Sequence, residues 1–170
     1  MELGSAIAKM GDGPGLILVH GGMQSSQNLT KLVRALCHRF TVYLPDRRGR
    51  GLSGSTGPTR AVEDCCEDMR ALVEKMGATN IFGLSSGALV SLWSALKMPG
   101  IRKVALYEPP LSVNHSVSMA WVSRCEREVA QGKLGSAVTL NEGSASFARF
   151  TSATAIFADA VFRIGIKERA

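Results

Sequence analysis

The chain has 170 residues, of which 45% are hydrophobic and 20% charged, a composition typical of one globular domain and not of a disordered segment. The formal net charge of +6 comes from basic residues that are spread along the chain without a recognisable nucleic-acid-binding module, so we expect no nucleic-acid ligand. Because there is neither a secretory signal pattern nor an apolar run of the roughly 18 residues that a membrane helix needs, we expect a cytoplasmic protein without a membrane partner.

Apolar runs alternate with amphipathic segments over the first two thirds of the chain. The runs predict four strands, at residues 16–20, 40–44, 80–83 and 102–107. The segments between them predict helices at 27–38, 60–76 and 86–98. Strands that alternate with helices are typical of right-handed βαβ units. Continuous apolar runs are typical of strands covered on both faces, so the pattern predicts an α/β protein whose parallel sheet carries helices on both faces.

The periodic signal weakens after Pro110. Residues 116–131 predict a helix to which no packing partner can be assigned from the sequence. From residue 145 onward, aromatic and aliphatic residues recur mostly three, four or seven positions apart, which predicts a terminal amphipathic helix.

The strongest chemical signal is the run Gly83-Leu84-Ser85-Ser86-Gly87, which lies between a predicted strand and a predicted helix. In a nucleophile elbow, a serine occupies a strained turn that holds its hydroxyl clear of the sheet. The flanking glycines leave space for the neighbouring strand and helix. The helix that starts at Ser86 directs its N–H groups and positive dipole end towards the hydroxyl. We therefore interpret Ser85 as the candidate nucleophile.

A second chemical element, His20-Gly21-Gly22-Met23, follows the first strand. We expect a backbone N–H of Gly22 or Met23, together with that of Ser86, to hold the oxyanion of a tetrahedral intermediate. We interpret His20 as a residue that orders this loop and takes no part in proton transfer.

Three turns together resemble the signature turns of the α/β-hydrolase superfamily, in that family's order. They are Leu18–Gly22, Asp46–Gly54 and Gly83–Gly87. The resemblance covers roughly residues 8–131. It implies a partial α/β-hydrolase core of about four recognisable strands at 1–110, a lid-like helical segment at 111–138, and an atypical helical tail at 139–170.

The resemblance implies a nucleophile, an acid and a histidine that follow one another along the chain. Glu108, at the carboxyl end of its strand, is a candidate acid, and His115 is a candidate base because it alone among the three histidines follows Ser85. In the Asp46–Gly54 turn, we expect Asp46 to accept hydrogen bonds from its own loop and the arginines to be solvated or paired with loop acids.

Three functions stay open from the sequence. The first is a hydrolase of an ester, thioester or amide-type bond in a small organic molecule. The second is an impaired or truncated remnant that acts as a binding module, because both ends look shortened against the resemblance. The third is an enzyme completed by a partner subunit, for which a homodimer is the simplest form. The four cysteines have no C-x-x-C spacing, and no histidine follows them at the sequence spacing of zinc ligands, so we expect reduced thiols and no metal. We also expect no cofactor.

Overall fold

The computed structural model describes residues 7–56, 62–111, 120–133 and 135. Its elements, in chain order, are β1 (Ile7–Met10), β2 (Gly15–Val19), a short 3-10 turn (Ser26–Leu29), α1 (Thr30–Leu36), β3 (Thr41–Pro45), α2 (Val62–Met76), β4 (Asn80–Leu84), α3 (Ser86–Lys97), β5 (Lys103–Tyr107) and α4 (Ala120–Ala130). The expected tail at 139–170 lies outside the described residues, as do 112–119, 134 and 136–138 of the expected lid-like segment.

Within the described residues, the sheet has five strands in the order β1-β3-β2-β4-β5. Strands β3, β2, β4 and β5 run parallel to one another, which confirms the predicted parallel sheet. The first strand was missed by the sequence analysis: β1 pairs antiparallel with β3, with Ala8 opposite Leu44. It has only four residues, one of them the exposed Lys9, and so carries too little alternation to predict a strand.

Helices cover both faces of the sheet, as the sequence predicts. This coverage explains why the sequence of β2 is apolar throughout. Leu16 and Leu18 are buried against α1 in one core. Ile17 and Val19 point to the other face, where they pack with side chains of α2 and α3. Because successive residues of a strand alternate between faces, a strand between two layers of helices has no face left for polar residues.

The carboxyl ends of four parallel strands meet at one edge of the sheet. The loops that leave this edge begin at His20, Asp46, Ser85 and Glu108, directly after β2, β3, β4 and β5. In open α/β sheets this edge is where ligands bind. None of the helices within the described ranges combines the length and the hydropathy required to span a bilayer.

Candidate active site

Ser85 occupies a strained turn between β4 and α3. Its backbone has φ 51° and ψ −121°, a conformation that side-chain-bearing residues seldom adopt, and it is the N-cap residue of α3. The residue is half-buried. This is the geometry of a nucleophile elbow, in which strain holds the hydroxyl away from both the strand and the helix.

The two flanking glycines are required because backbone atoms pass where a side chain would be. A Cβ at Gly87 would overlap the carbonyl oxygens of Val19 and His20. A Cβ at Gly83 would come within 2.5 Å of the Ala88 Cα. The elbow is therefore packed directly against the end of β2 and against its own helix.

The loop after β2 approaches the elbow closely enough to form one site with it. A Cβ placed on Gly21 would be 3.4 Å from the Ser85 Cβ, and one placed on Gly22 would be 3.5 Å from the Ser86 Oγ. The Gly21 N–H donates to the Gln24 side-chain oxygen at 2.9 Å, which closes the turn. The structure thus brings Gly22 and Ser86, two of the expected oxyanion residues, side by side.

Met23 and Glu108 adopt the same unusual half of backbone space as Ser85. Their φ angles are 54° and 45°, and among the described residues these three are the non-glycine residues with positive φ. All three follow neighbouring parallel strands at the same sheet edge. Strained residues of this kind cluster at functional sites, where the surrounding structure enforces them.

Glu108 lies beside the elbow in the strand register. Leu84 pairs with Tyr107 across β4 and β5, so the next residues, Ser85 and Glu108, leave the sheet together. The Ser85 N–H donates to the Tyr107 carbonyl oxygen at 2.9 Å. The Glu108 side chain is half-buried. The backbone of the candidate acid, Glu108, therefore lies next to the backbone of the candidate nucleophile, Ser85.

His20 is fully buried, and both of its ring nitrogens are engaged. The Arg47 N–H donates to Nε2 at 3.1 Å. Nδ1 must then carry the proton, which it donates to the Gly21 carbonyl oxygen at 2.9 Å. Burial lowers the pKa of His20, and the nearby Arg47 charge lowers it further, so the ring is neutral. His20 orders the loop, as expected, and has no nitrogen available to activate Ser85.

Of the other two histidines, the structure describes only His38. His38 is exposed and lies three residues before β3 begins, which puts it at the amino edge of the sheet, opposite Ser85. His115, the candidate base, lies outside the described residues. Within the described ranges, no histidine is therefore placed to accept the Ser85 proton.

Asp46 connects the loop after β2 with the loop after β3 through hydrogen bonds. Its carboxylate accepts the Ser26 N–H at 2.6 Å and the Leu52 N–H at 2.9 Å. Burial raises the pKa of this carboxyl, but the hydrogen bonds from Leu52 and Ser26 lead a set of effects that together lower it by more, so the net pKa lies below its ordinary value. The expected bond from its own loop is present, and Ser26 adds a second from the loop after β2.

Arg50 of this turn is exposed, as predicted, but Arg47 and Arg48 differ from the prediction. Arg48 does bind acids, but they belong to α2: two of its nitrogens donate to the Asp68 carboxylate at 2.7 Å each. Arg47 is half-buried and donates to the His20 carbonyl oxygen at 3.3 Å and to the Ser86 hydroxyl at 3.0 Å. It therefore joins the two segments that form the expected oxyanion site, a role that no local pattern indicates.

The described residues contain no candidate metal site: no group of three or more histidine, cysteine or acidic side chains among them could hold a metal ion.

The sequence profile of the serine aminopeptidase S33 hydrolases matches residues 15–152, more than half of the chain. The chain belongs to this family. The match extends past residue 139, where the sequence analysis began the atypical tail.

Curated relatives of this S33 family chain include proteins of different named activities. N-formylmaleamate deformylase from Pseudomonas putida is 34% identical over 107 residues, which cover 60% of this chain and 40% of the relative. Pyrrolizixenacetamide deacetylase from Xenorhabdus hominickii is 33% identical over 100 residues, 56% of this chain and 38% of the relative. The magnesium-chelatase 30 kDa subunit of Rhodobacter capsulatus is 34% identical over 98 residues, 56% and 34% of the two chains.

A solved α/β hydrolase from Sphaerobacter thermophilus is similar in both sequence and structure to this S33 family chain. The two share 36% identity with a TM-score of 0.74, over 83% of this chain and 56% of the other. The α/β-hydrolase fold expected from the three signature turns is thereby confirmed. This chain spans 34–40% of the length of the three curated relatives.

Proposed function

We propose that this protein hydrolyses an ester, thioester or amide-type bond in a small organic molecule, with Ser85 as the nucleophile. The observation that carries the proposal is the strained backbone of Ser85 (φ 51°), held between β4 and α3 by glycines that admit no side chain. The strain has no evident structural benefit, whereas it is what an exposed serine nucleophile requires.

The chemistry follows from the groups around the elbow. The Ser85 Oγ attacks the acyl carbon and loses its proton to a base, and the carbonyl oxygen becomes an oxyanion. The N–H of Ser86 at the start of α3, with that of Gly22 or Met23, stabilises that charge. Collapse of the intermediate expels the protonated leaving group, and water then releases the acid from the acyl-enzyme, which restores the Ser85 hydroxyl.

Two of the three histidines in the given sequence are not placed to act as the base. His20 has both nitrogens engaged, and His38 lies at the opposite edge of the sheet. We therefore propose His115 as the base, with Glu108 as the acid that orients it. Glu108 leaves the sheet beside Ser85, so a histidine shortly after it in the chain has a short path to the elbow.

The names of two relatives support the amide-type bond among the three bond classes. N-formylmaleamate deformylase is named for removal of a formyl group and pyrrolizixenacetamide deacetylase for removal of an acetyl group. We propose a small molecule with a short acyl group on nitrogen as the substrate, and a cytoplasmic location. The four free cysteines support a reducing compartment.

A fluorophosphonate probe tests the proposal, because it labels a serine hydroxyl only where that hydroxyl is activated. We expect labelling of the wild-type protein and none of Ser85→Ala. The matched control is Ser123→Ala, on the exposed face of α4, which should label like the wild type. Absence of labelling in a wild-type protein that is folded by circular dichroism would contradict an active Ser85.

A binding module is the second candidate. It is favoured by the absence, within the described ranges, of a histidine near Ser85, and by one relative that is named as a 30 kDa subunit rather than a hydrolase. A partner subunit that supplies the base, as in a homodimer, is the third form. Labelling that is lost on dilution would indicate the partner form, and labelling that is independent of concentration would exclude it.

A further inference from the structure

A cavity of about 470 Å³ lies between the loop after β3 and the start of α3, next to the candidate oxyanion site. Three arginines line it, Arg47, Arg48 and Arg50. Ser86 and Gly22 line the same cavity, and no acidic residue of the described ranges does. A concave site lined by one sign of charge concentrates ligands of the opposite sign.

Most of this positive charge is not neutralised by the described residues. Arg48 is bound by the carboxylates of Asp68 and Asp64, at 2.7 and 3.7 Å. The side-chain partners of Arg47 are all neutral: the His20 carbonyl, the Ser86 hydroxyl and, at 4.0 Å, the Cys65 sulfur. Its Nε is buried and has no hydrogen-bond partner among the described residues.

Arg50 completes the cluster from the exposed side. It donates to the carbonyl oxygen of the adjacent Gly49 at 3.2 Å and has no acidic partner within the described ranges. Two of the three arginines therefore keep an uncompensated charge at the rim of a partly buried cavity. Guanidinium groups in such a site bind carboxylate and phosphate oxygens through charge-assisted hydrogen bonds.

We propose that this cavity binds an anionic group, a carboxylate or a phosphate, carried by the substrate. The inference rests on the proposed function, because it places this group relative to the bond that is cleaved. Ser86 connects the two sites: the residue lines the cavity, its hydroxyl accepts from Arg47, and its N–H is a proposed oxyanion donor. The anion binds on one side of Ser86 while the acyl carbon lies against Ser85 on the other.

Two esters that differ in one charge test the placement. The first is 4-nitrophenyl hemisuccinate, which has a free carboxylate, and the second is its neutral methyl ester. We expect the wild type to favour the charged ester in kcat/KM by about 10- to 100-fold, the range that a charged hydrogen bond supplies. Arg50→Gln should remove this preference and leave the rate on the neutral ester unchanged within about threefold.

The matched control is Arg102→Gln. Arg102 is also exposed, but it precedes β5 and so lies at the opposite edge of the sheet. The substitution removes the same charge from the protein without touching the cavity. It should keep the preference for the charged ester. Equal kcat/KM values for the two esters in the wild type would overturn the anion site while the proposed hydrolase function stands.

Direct binding separates the anion site from catalysis. In calorimetric titrations of Ser85→Ala at low salt, we expect succinate or inorganic phosphate to bind, and the additional Arg50→Gln substitution to weaken that binding at least tenfold. Tighter binding of succinate identifies a carboxylate, and tighter binding of phosphate identifies a phosphorylated substrate. Binding of this kind in a protein that cleaves neither ester supports the anion site and counts against the proposed hydrolase. No binding of either anion, or binding that Arg50→Gln does not change, overturns the anion site.

Discussion

The Ser85 N–H donates to the Tyr107 carbonyl oxygen at 2.9 Å, so the strained elbow is fixed to the last residue of the adjacent strand. The bond continues the β4–β5 ladder by one residue at the point where the backbone of Ser85 turns to positive φ. The strand pair therefore holds a conformation that Ser85 would not adopt alone. The same edge carries the other two strained non-glycine residues of the described ranges, Met23 and Glu108.

The strain at Ser85 predicts that glycine there makes the protein more stable. An L-residue at this φ costs about 1–3 kcal/mol, and the extra backbone entropy of glycine costs about 0.5–1 kcal/mol. We expect Ser85→Gly to raise the free energy of unfolding by about 1 kcal/mol and Tm by about 2–4 °C. Urea and thermal unfolding measure both quantities.

The same substitution in a helix gives the control. Ser123 is exposed on α4, where glycine should lower the free energy of unfolding by about 0.5 kcal/mol. A loss of stability in Ser85→Gly as large as in Ser123→Gly would show that the elbow stores no strain.

A second prediction concerns the contact between the elbow helix and β2. In Gly87→Ala, the new methyl group would meet the backbone carbonyls of Val19 and His20, which no rotamer change can move. We expect a loss of about 1–3 kcal/mol in the free energy of unfolding. Fluorophosphonate labelling should slow as well, because the oxyanion donors are displaced. At Gly100 an added methyl group meets nothing within 4 Å, so Gly100→Ala should be neutral in both measurements.

The sheet and the elbow were predictable because their signals are local. The run Leu16–Val19 is apolar throughout because both faces of β2 are covered. Gly83, Ser85 and Gly87 form a pattern whose spacing is set by one strand-to-helix turn. Both the buried strand and the turn depend on about five consecutive residues, so the sequence alone is enough to predict them.

What the sequence did not predict depends on contacts between distant segments. Strand β1 is ordered by pairing with β3, more than thirty residues along the chain. The Arg47 side chain contacts Ser86, which is 39 residues away. Arg47 lies in the loop between β3 and α2. An arginine in such a loop is predicted to be solvated unless the position of the neighbouring loop is known, and that position is a property of the whole sheet.

A third prediction concerns Asp46 and the two N–H groups that it accepts. Asp46→Asn would turn an amide NH₂ towards the N–H of Ser26 or Leu52, and we expect a loss of about 1–3 kcal/mol in the free energy of unfolding at pH 7. Because the pKa of Asp46 is lowered in the folded protein, its stabilisation is fully present above the unfolded pKa of about 4. It is lost as the pH falls through the lower, folded pKa.

The stability difference between the wild type and Asp46→Asn should therefore become smaller when urea unfolding is repeated near pH 3. Asp12 is an exposed aspartate in the turn between β1 and β2, and Asp12→Asn serves as the control. It should match the wild type at both pH values. A difference between wild type and Asp46→Asn that stays constant from pH 7 to pH 3 would contradict a lowered pKa at Asp46.

The fourth prediction concerns His20, which should also make stability fall with falling pH, but in a higher pH range and because of burial. Burial lowers its pKa in the folded protein, so the unfolded chain takes up a proton near pH 6.5 while the folded protein does not. The free energy of unfolding should therefore fall as the pH drops from about 7.5 to the folded pKa, by at most about 1.4 kcal/mol per pH unit.

In His20→Gln, the side-chain oxygen can still accept the Arg47 N–H, but no proton is taken up on unfolding. We expect this variant to be less stable than the wild type at pH 7.5 and to lack the fall in stability between pH 7.5 and pH 5.5. His38→Gln, at the exposed opposite edge, should keep that fall. If the curves of the wild type and His20→Gln run parallel over this range, His20 is protonated in the folded protein. The bond from Arg47 to Nε2, which requires a neutral ring, would then be excluded.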